Sequence, residues 1–122
     1  EETLCFLNSM DVDHRLVQCA TPYPGTELYD ECVEKGYTAP DLDYSRLQQK
    51  SGVIGTPEFS AHYISARMAA WLLNAMLQVG RGWRATARRI FGEYPPSVAL
   101  RACWLALVER GRYRRPMRRI GG

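Results

Sequence analysis

The chain has 122 residues, 46% hydrophobic and 24% charged, which fits one globular domain with one modest core and excludes wholesale disorder. Net charge is only +3, yet residues 1–61 carry 11 acids and 4 bases while residues 62–122 carry 2 acids and 12 bases, all arginine. That asymmetry predicts an anionic partner, or an acidic partner surface, for the second half; the competing reading is a genomic preference for arginine, since Lys35 and Lys50 are the only lysines.

Residues 1–10 read as the end of a helix, with Leu4, Leu7 and Met10 spaced by three along one face. Asp11 to His14 is polar and turn-like. Arg15 to Ala20 alternates between turn residues and predicts a short strand. Thr21-Pro22-Tyr23-Pro24-Gly25-Thr26 then places two prolines and a glycine in six residues, which continues no strand and sits inside no helix. Thr26 is a candidate N-cap for a helix from Glu27 to about Lys35, with Glu27, Asp30 and Glu31 near its positive end and Gly36 as the stop. Leu28, Cys32 and Val33 form its expected apolar side.

Residues 37–57 contain Pro40, Gly52, Gly55 and Pro57 without a sustained period, an irregular stretch with one short strand expected near Gly52 to Ile54. From Ser60 the pattern changes. Tyr63, Ile64, Met68, Trp71, Leu72, Ala75, Met76 and Val79 recur at intervals of three and four up to Gly80, predicting a long amphipathic helix capped by Ser60. A second helix is expected from about Trp83 to Phe91, with Arg84, Arg88 and Arg89 on its polar side. Tyr94-Pro95-Pro96 breaks it, and Ser97 can cap a third helix from Val98 to Arg110. The tail after Gly111 is basic. No apolar run approaches the roughly 20 residues of a membrane-spanning helix.

The four cysteines, Cys5, Cys19, Cys32 and Cys103, stand 14, 13 and 71 residues apart. Those spacings fit neither a zinc nor an iron–sulfur pattern. Apolar neighbours favour free thiols in a reducing cytoplasm over disulfides. The chain opens at Glu1 with no signal segment before it, as a piece of a longer reading frame would, or a processed product.

The string Gln18-Cys19-Ala20-Thr21-Pro22-Tyr23-Pro24-Gly25-Thr26-Glu27-Leu28-Tyr29, followed by Lys35-Gly36-Tyr37, resembles cobalamin (B12)-binding radical S-adenosylmethionine (radical SAM) proteins. In that family the last strand of an α/β partial barrel runs into a Pro-Tyr-Pro-Gly-Thr loop and a helix beginning Glu-Leu-Tyr. The likeness covers residues 1–37 well. It extends loosely over residues 50–80, at Gly52-Val53-Ile54 and Thr56-Pro57-Glu58-Phe59-Ser60.

By that resemblance the fold is an α/β fragment, mostly helical. Residues 1–37 would be the last strand and helix of the barrel, 38–57 an irregular connection, and 58–122 a helical C-terminal extension with a basic tail. The parent would be a methyltransferase or related iron–sulfur enzyme using a [4Fe–4S] cluster, S-adenosylmethionine and cobalamin. This chain lacks the CxxxCxxC loop, so no cofactor is expected to bind it alone, no catalytic or metal-ligating residue is assigned, and its partners would be the missing N-terminal barrel and cobalamin domain. Cofactors in such folds lie at the C-terminal ends of the strands, so Tyr23, Pro24, Gly25 and Thr26 are the candidate cavity rim, with the Gly25 and Thr26 amides facing a ligand. The plainer reading makes the same loop a device for starting the next helix.

Other constellations are weaker. His14 and His62 are the only histidines. His62 has Glu58 four residues earlier, but a solvent-facing histidine is the preferred reading. No GxSxG elbow or phosphate-binding glycine loop is present. The stretch Val98 to Val108 is apolar nearly all round except Arg101, and the Arg-rich tail follows at once. That pairing supports an alternative function, a small interaction module bound to a membrane surface. Nucleic acid is a less favoured partner. The competing expectation is a helix buried against the rest of the protein.

Overall fold

Six alanines decide how the second half packs. The computed structural model describes residues 2–10, 16–38, 43, 45, 51–78, 80 and 82–109. Its helices are α1 (Glu2–Ser9), α2 (Glu27–Glu34), α3 (Ala61–Gln78), α4 (Trp83–Glu93) and α5 (Pro96–Val108), and the described residues hold no strand. Ala66, Ala69 and Ala70 of α3 meet Ala99, Ala102 and Ala106 of α5 in one buried cluster, completed by Ile90, Tyr94, Val98 and Leu105. Small side chains let the helices approach closely, and α3 against α5 is the main helix–helix contact. Helix α4 closes over the pair through Ile90 and Thr86, both fully buried.

The buried stripe of α3 is therefore not the one its bulky residues predict. Tyr63, Ile64, Met68, Trp71, Leu72 and Ala75 are half-buried; only Met76 of that set is buried. The close approach required by α5 selects the alanine side. Bulky residues flank the seam rather than fill it.

Helix boundaries follow local chemistry. Ser60 caps α3: its Oγ accepts from Tyr63 N at 3.1 Å. Gly80, at φ +79°, follows α3. Helix α5 starts with Pro96 at its first position and has no side-chain cap, so Ser97 does not serve as one. Proline there gives up no useful N–H and is already bent to helical φ. The buried hydroxyl of Thr86 donates to Gly82 O at 3.2 Å, and the buried Asn74 amide donates to Ala70 O at 3.1 Å. Neither leaves an unpaired polar group in the core.

The N-terminal part is held differently, because neither α1 nor α2 packs on another helix among the described residues. Thr26 caps α2, accepting from Tyr29 N at 3.3 Å. Gly36, at φ +66°, ends it with Tyr37 N donating to Cys32 O (2.7 Å) and Gly36 N to Val33 O (3.1 Å), a Schellman closure. Cys32 is buried as expected, whereas Leu28 is exposed.

The strand expected at Arg15 to Ala20 is not formed over its described residues, 16–20. Residues 16–20 carry no regular secondary structure, no backbone–backbone hydrogen bond joins them to another described residue, and a strand without a partner has no ladder. Nor is there a strand at Gly52 to Ile54. His14, Arg15, Pro40, Val79 and the basic tail lie outside the described residues.

The seam gives a direct test. Ala102→Leu adds a branched side chain at a fully buried position between two helices and should cost about 3 kcal/mol in urea unfolding. The same change at exposed Ala85 should be near neutral.

Candidate functional site

The four rim candidates form one tight turn. Thr26 N donates to Tyr23 O at 3.2 Å, with Pro24 and Gly25 at the two central positions and Gly25 at φ +86°. That is a type II β-turn, which needs positive φ at its third residue and favours proline at its second. Thr26 Oγ1 also donates to Tyr23 O, at 2.6 Å. The threonine thus closes the turn with both amide and hydroxyl while capping α2.

One sequence expectation changes here. The Thr26 amide is used inside the turn and does not face a ligand. All four residues are exposed, whereas the preceding Pro22 is fully buried. Tyr23 is 42% exposed.

The segment before the turn lies against the helical unit. Along residues 16–21 burial alternates: Leu16, Gln18 and Ala20 are exposed, Val17, Cys19 and Thr21 half-buried. Cys19 lies near enough to act electrostatically on Tyr94, the residue joining α4 to α5, which is only 6% exposed. Burial pushes the Tyr94 phenol up to about 12; Glu93 and the Cys19 thiol add to the shift and Arg89 opposes it. Burial also raises the Cys19 thiol.

Beside Tyr94 opens a cleft of about 380 Å³ lined by Ser51, Gly52, Val53, His62, Ser65, Glu93, Ser97 and Val98, among others. Gly52 seats the 51–56 segment on the first turn of α3. Its amide donates to Ser65 Oγ at 2.9 Å, and that hydroxyl donates to Ala61 O at 2.9 Å. His62 lines the cleft, half-buried, and is not paired with Glu58 as a metal site. The Glu58 carboxylate accepts from Thr56 Oγ1 at 2.7 Å, and this hydrogen bond holds it below the usual carboxylate range. Among the described residues no three His, Cys, Asp or Glu side chains cluster to hold a metal ion. Cys19, Cys32 and Cys103 are free thiols.

Two further features escaped the sequence pattern. The first is a clamp across the ends of α3 and α5, where Arg67 pairs with Glu109, each side chain 12% exposed. Arg67 Nε donates to Tyr63 Oη at 2.8 Å. Burial opposes the charge on Arg67, but Glu109 and Tyr63 outweigh it and leave the guanidinium more firmly protonated than usual. Arg101 lies over the same ring, 5.6 Å from its centroid. Residues 42 apart meet here, a separation no local period can reveal. The second is a groove of about 330 Å³ between α3, α4 and α5, lined by Leu73, Leu77, Trp83, Phe91, Cys103 and Leu107 with Asn74 and Thr86 beneath.

No family model matches the chain, and it matches neither a curated protein nor a solved structure.

The geometry fixes two outcomes. A Cβ at Gly52 would stand 2.8 Å from Ala61 O and 2.9 Å from Ile64 Cβ. Gly52→Ala should therefore cost about 1–3 kcal/mol in chemical unfolding, since backbone must move. For Tyr94, the folded pKa lies above the unfolded value of about 10. Between those values the unfolded chain loses the proton first, so stability is complete below about pH 10 and falls as pH rises towards 12. The full loss is about 3 kcal/mol, and Tyr94→Phe should flatten that alkaline decline in urea titrations at stepped pH.

Proposed function

We propose that the chain is the C-terminal part of a cobalamin-binding radical SAM enzyme, a methyltransferase or related iron–sulfur oxidoreductase, and is inactive alone. Arg15 to Ala20 would be its last barrel strand, α2 the helix that follows, and α3 to α5 a helical extension. One observation carries this reading: a segment with strand-like alternating burial and no ladder partner among the described residues runs into the Tyr23–Thr26 turn and a capped helix. A segment with that burial pattern is suited to join a sheet supplied from elsewhere. The Gln18–Tyr29 string and Lys35-Gly36-Tyr37 supply the resemblance on which the assignment to this family rests.

The chain's own thiols do not fit an iron–sulfur cluster. Cys19 and Cys32 lie on separate elements, both partly or fully buried with raised pKa, and no CxxxCxxC loop exists. Thiolate ligands are needed for such a cluster. On this reading the cluster, S-adenosylmethionine and cobalamin are held by the barrel and the N-terminal domain, and Tyr23 is the residue of this chain that packs at the rim of their cavity. Thr26 and Gly25 act by fixing that turn.

Anaerobic incubation of the 122-residue chain with iron and sulfide should yield no [4Fe–4S] chromophore. A longer product that includes the sequence encoded before Glu1 should yield one and form 5′-deoxyadenosine from S-adenosylmethionine on reduction. An upstream frame without a CxxxCxxC motif, or a stoichiometric cluster on the short chain, would end the assignment.

A further inference from the structure

One face of the helical unit is apolar, open and bordered by arginine. On α5, Leu100, Trp104, Leu107 and Val108 are each 60–63% exposed. Their spacing of four, three and one puts them on the side opposite the alanine seam. Leu107 continues the row into the groove, whose other wall presents Trp83 (69% exposed) and Phe91. A helix expected to be apolar all round is therefore buried on one side only. Nothing in the chain's described part covers the other.

The charges around this face are of one sign. Arg84 and Arg88 are exposed, one turn apart on α4, and occupy the stripe beside Trp83 and Phe91. Arg101 flanks Leu100 and is turned towards Tyr63 at the edge of the face. The two acids of this region are spoken for: Glu93 pairs with Arg89 at 2.8 Å, and Glu109 pairs with Arg67. The sequence then continues through residues 110–122 with six arginines and no acid.

We infer that α4 and α5 form a docking surface for an anionic lipid bilayer, with Trp83, Trp104, Leu100 and Leu107 entering the headgroup–acyl boundary and the arginines meeting lipid phosphate. Interfacial helices bury an apolar face a few ångströms deep while bases at its margin stay with the headgroups. Tryptophan suits the same depth because its ring is apolar and its N–H is polar. Each base near an anionic surface contributes about 1 kcal/mol, roughly fivefold in binding. Two other occupants fit less well. Nucleic acid would satisfy the arginines but gives no reward for burying two leucines and a valine. A second copy would cover the leucines but bring two arginine margins together. The surface lies on α4 and α5, apart from the 16–26 segment, so it stands whether or not the chain belongs to a radical SAM enzyme.

The test is co-sedimentation of the 122-residue chain with phosphatidylcholine vesicles, with and without about one third phosphatidylglycerol, read together with tryptophan emission. The chain should bind the anionic vesicles at least tenfold more tightly than the neutral ones, with a blue shift. Raising salt from about 50 to 500 mM should weaken binding, because exposed charge attraction is screened. Trp104→Glu with Leu107→Glu should reduce binding at least tenfold while circular dichroism stays helical. Neutralising Arg112, Arg114, Arg115, Arg118 and Arg119 to Gln should do the same without removing an apolar contact. If the double variant unfolds, the lipid-charge and salt responses of the unaltered chain decide. Failure to bind anionic vesicles overturns the proposal, as does binding that ignores lipid charge. So does a salt-dependent DNA complex, or a dimer lost on Trp104→Glu, in the absence of vesicle binding.

Discussion

Everything in the second half of this chain depends on how near α3 and α5 can come to each other. Alanine contributes little transfer energy by itself, since a single methyl removes only a small apolar area from water. Its value here is geometric. Six alanines in register let two helices share one dense layer, in which dispersion between backbones and methyls replaces the interlocking of large side chains. Ile90, Leu105 and Val98 then fill the space that α4 and the helix ends leave open. A core of this type is thin, which explains why so many bulky residues remain half-buried or exposed around it.

The same thinness explains where the sequence was legible and where it was not. Boundaries were readable because their causes are local. Ser60 and Thr26 cap, Gly36 and Gly80 take positive φ, and Pro95-Pro96 separates two helices. The choice of buried face was not local. A periodicity count weights Trp71 and Met68 above Ala66 and Ala70, but the partner helix offered alanines, and close packing outranked hydrophobic size. Ser97 failed as a cap for a related reason: Pro96 already supplied the helical start. The Arg67–Glu109 clamp lay beyond any window, because its partners meet only after α3 and α5 have packed.

The proline-rich corner was legible in shape but only partly in use. Pro-Gly at the centre of a turn dictates the type II geometry, and Thr26 follows as closing residue and cap together. Once both its amide and its hydroxyl are spent on Tyr23 and Tyr29, little is left for a ligand except the Tyr23 ring and the backbone of Gly25. On the reading proposed above, the corner would act through shape, by where the turn holds that ring. The residues before it bring the Cys19 thiol within electrostatic range of Tyr94 at the α4–α5 junction.

Two open features remain, and they differ physically. Residues 16–20 form no ladder with another described residue, a deficit of backbone pairing that, on the reading proposed above, a strand of matching register would meet. The α4–α5 face presents apolar side chains with like charges at their margin, a deficit that any low-dielectric phase with anionic edges can meet and that asks for no register at all. The first deficit demands a specific fold beside it; the second demands only a surface of the right chemistry. Because the two lie on different elements, the proposed strand partner and the proposed bilayer make separate demands, one on backbone register and the other on apolar area and charge, and neither would have to displace the other.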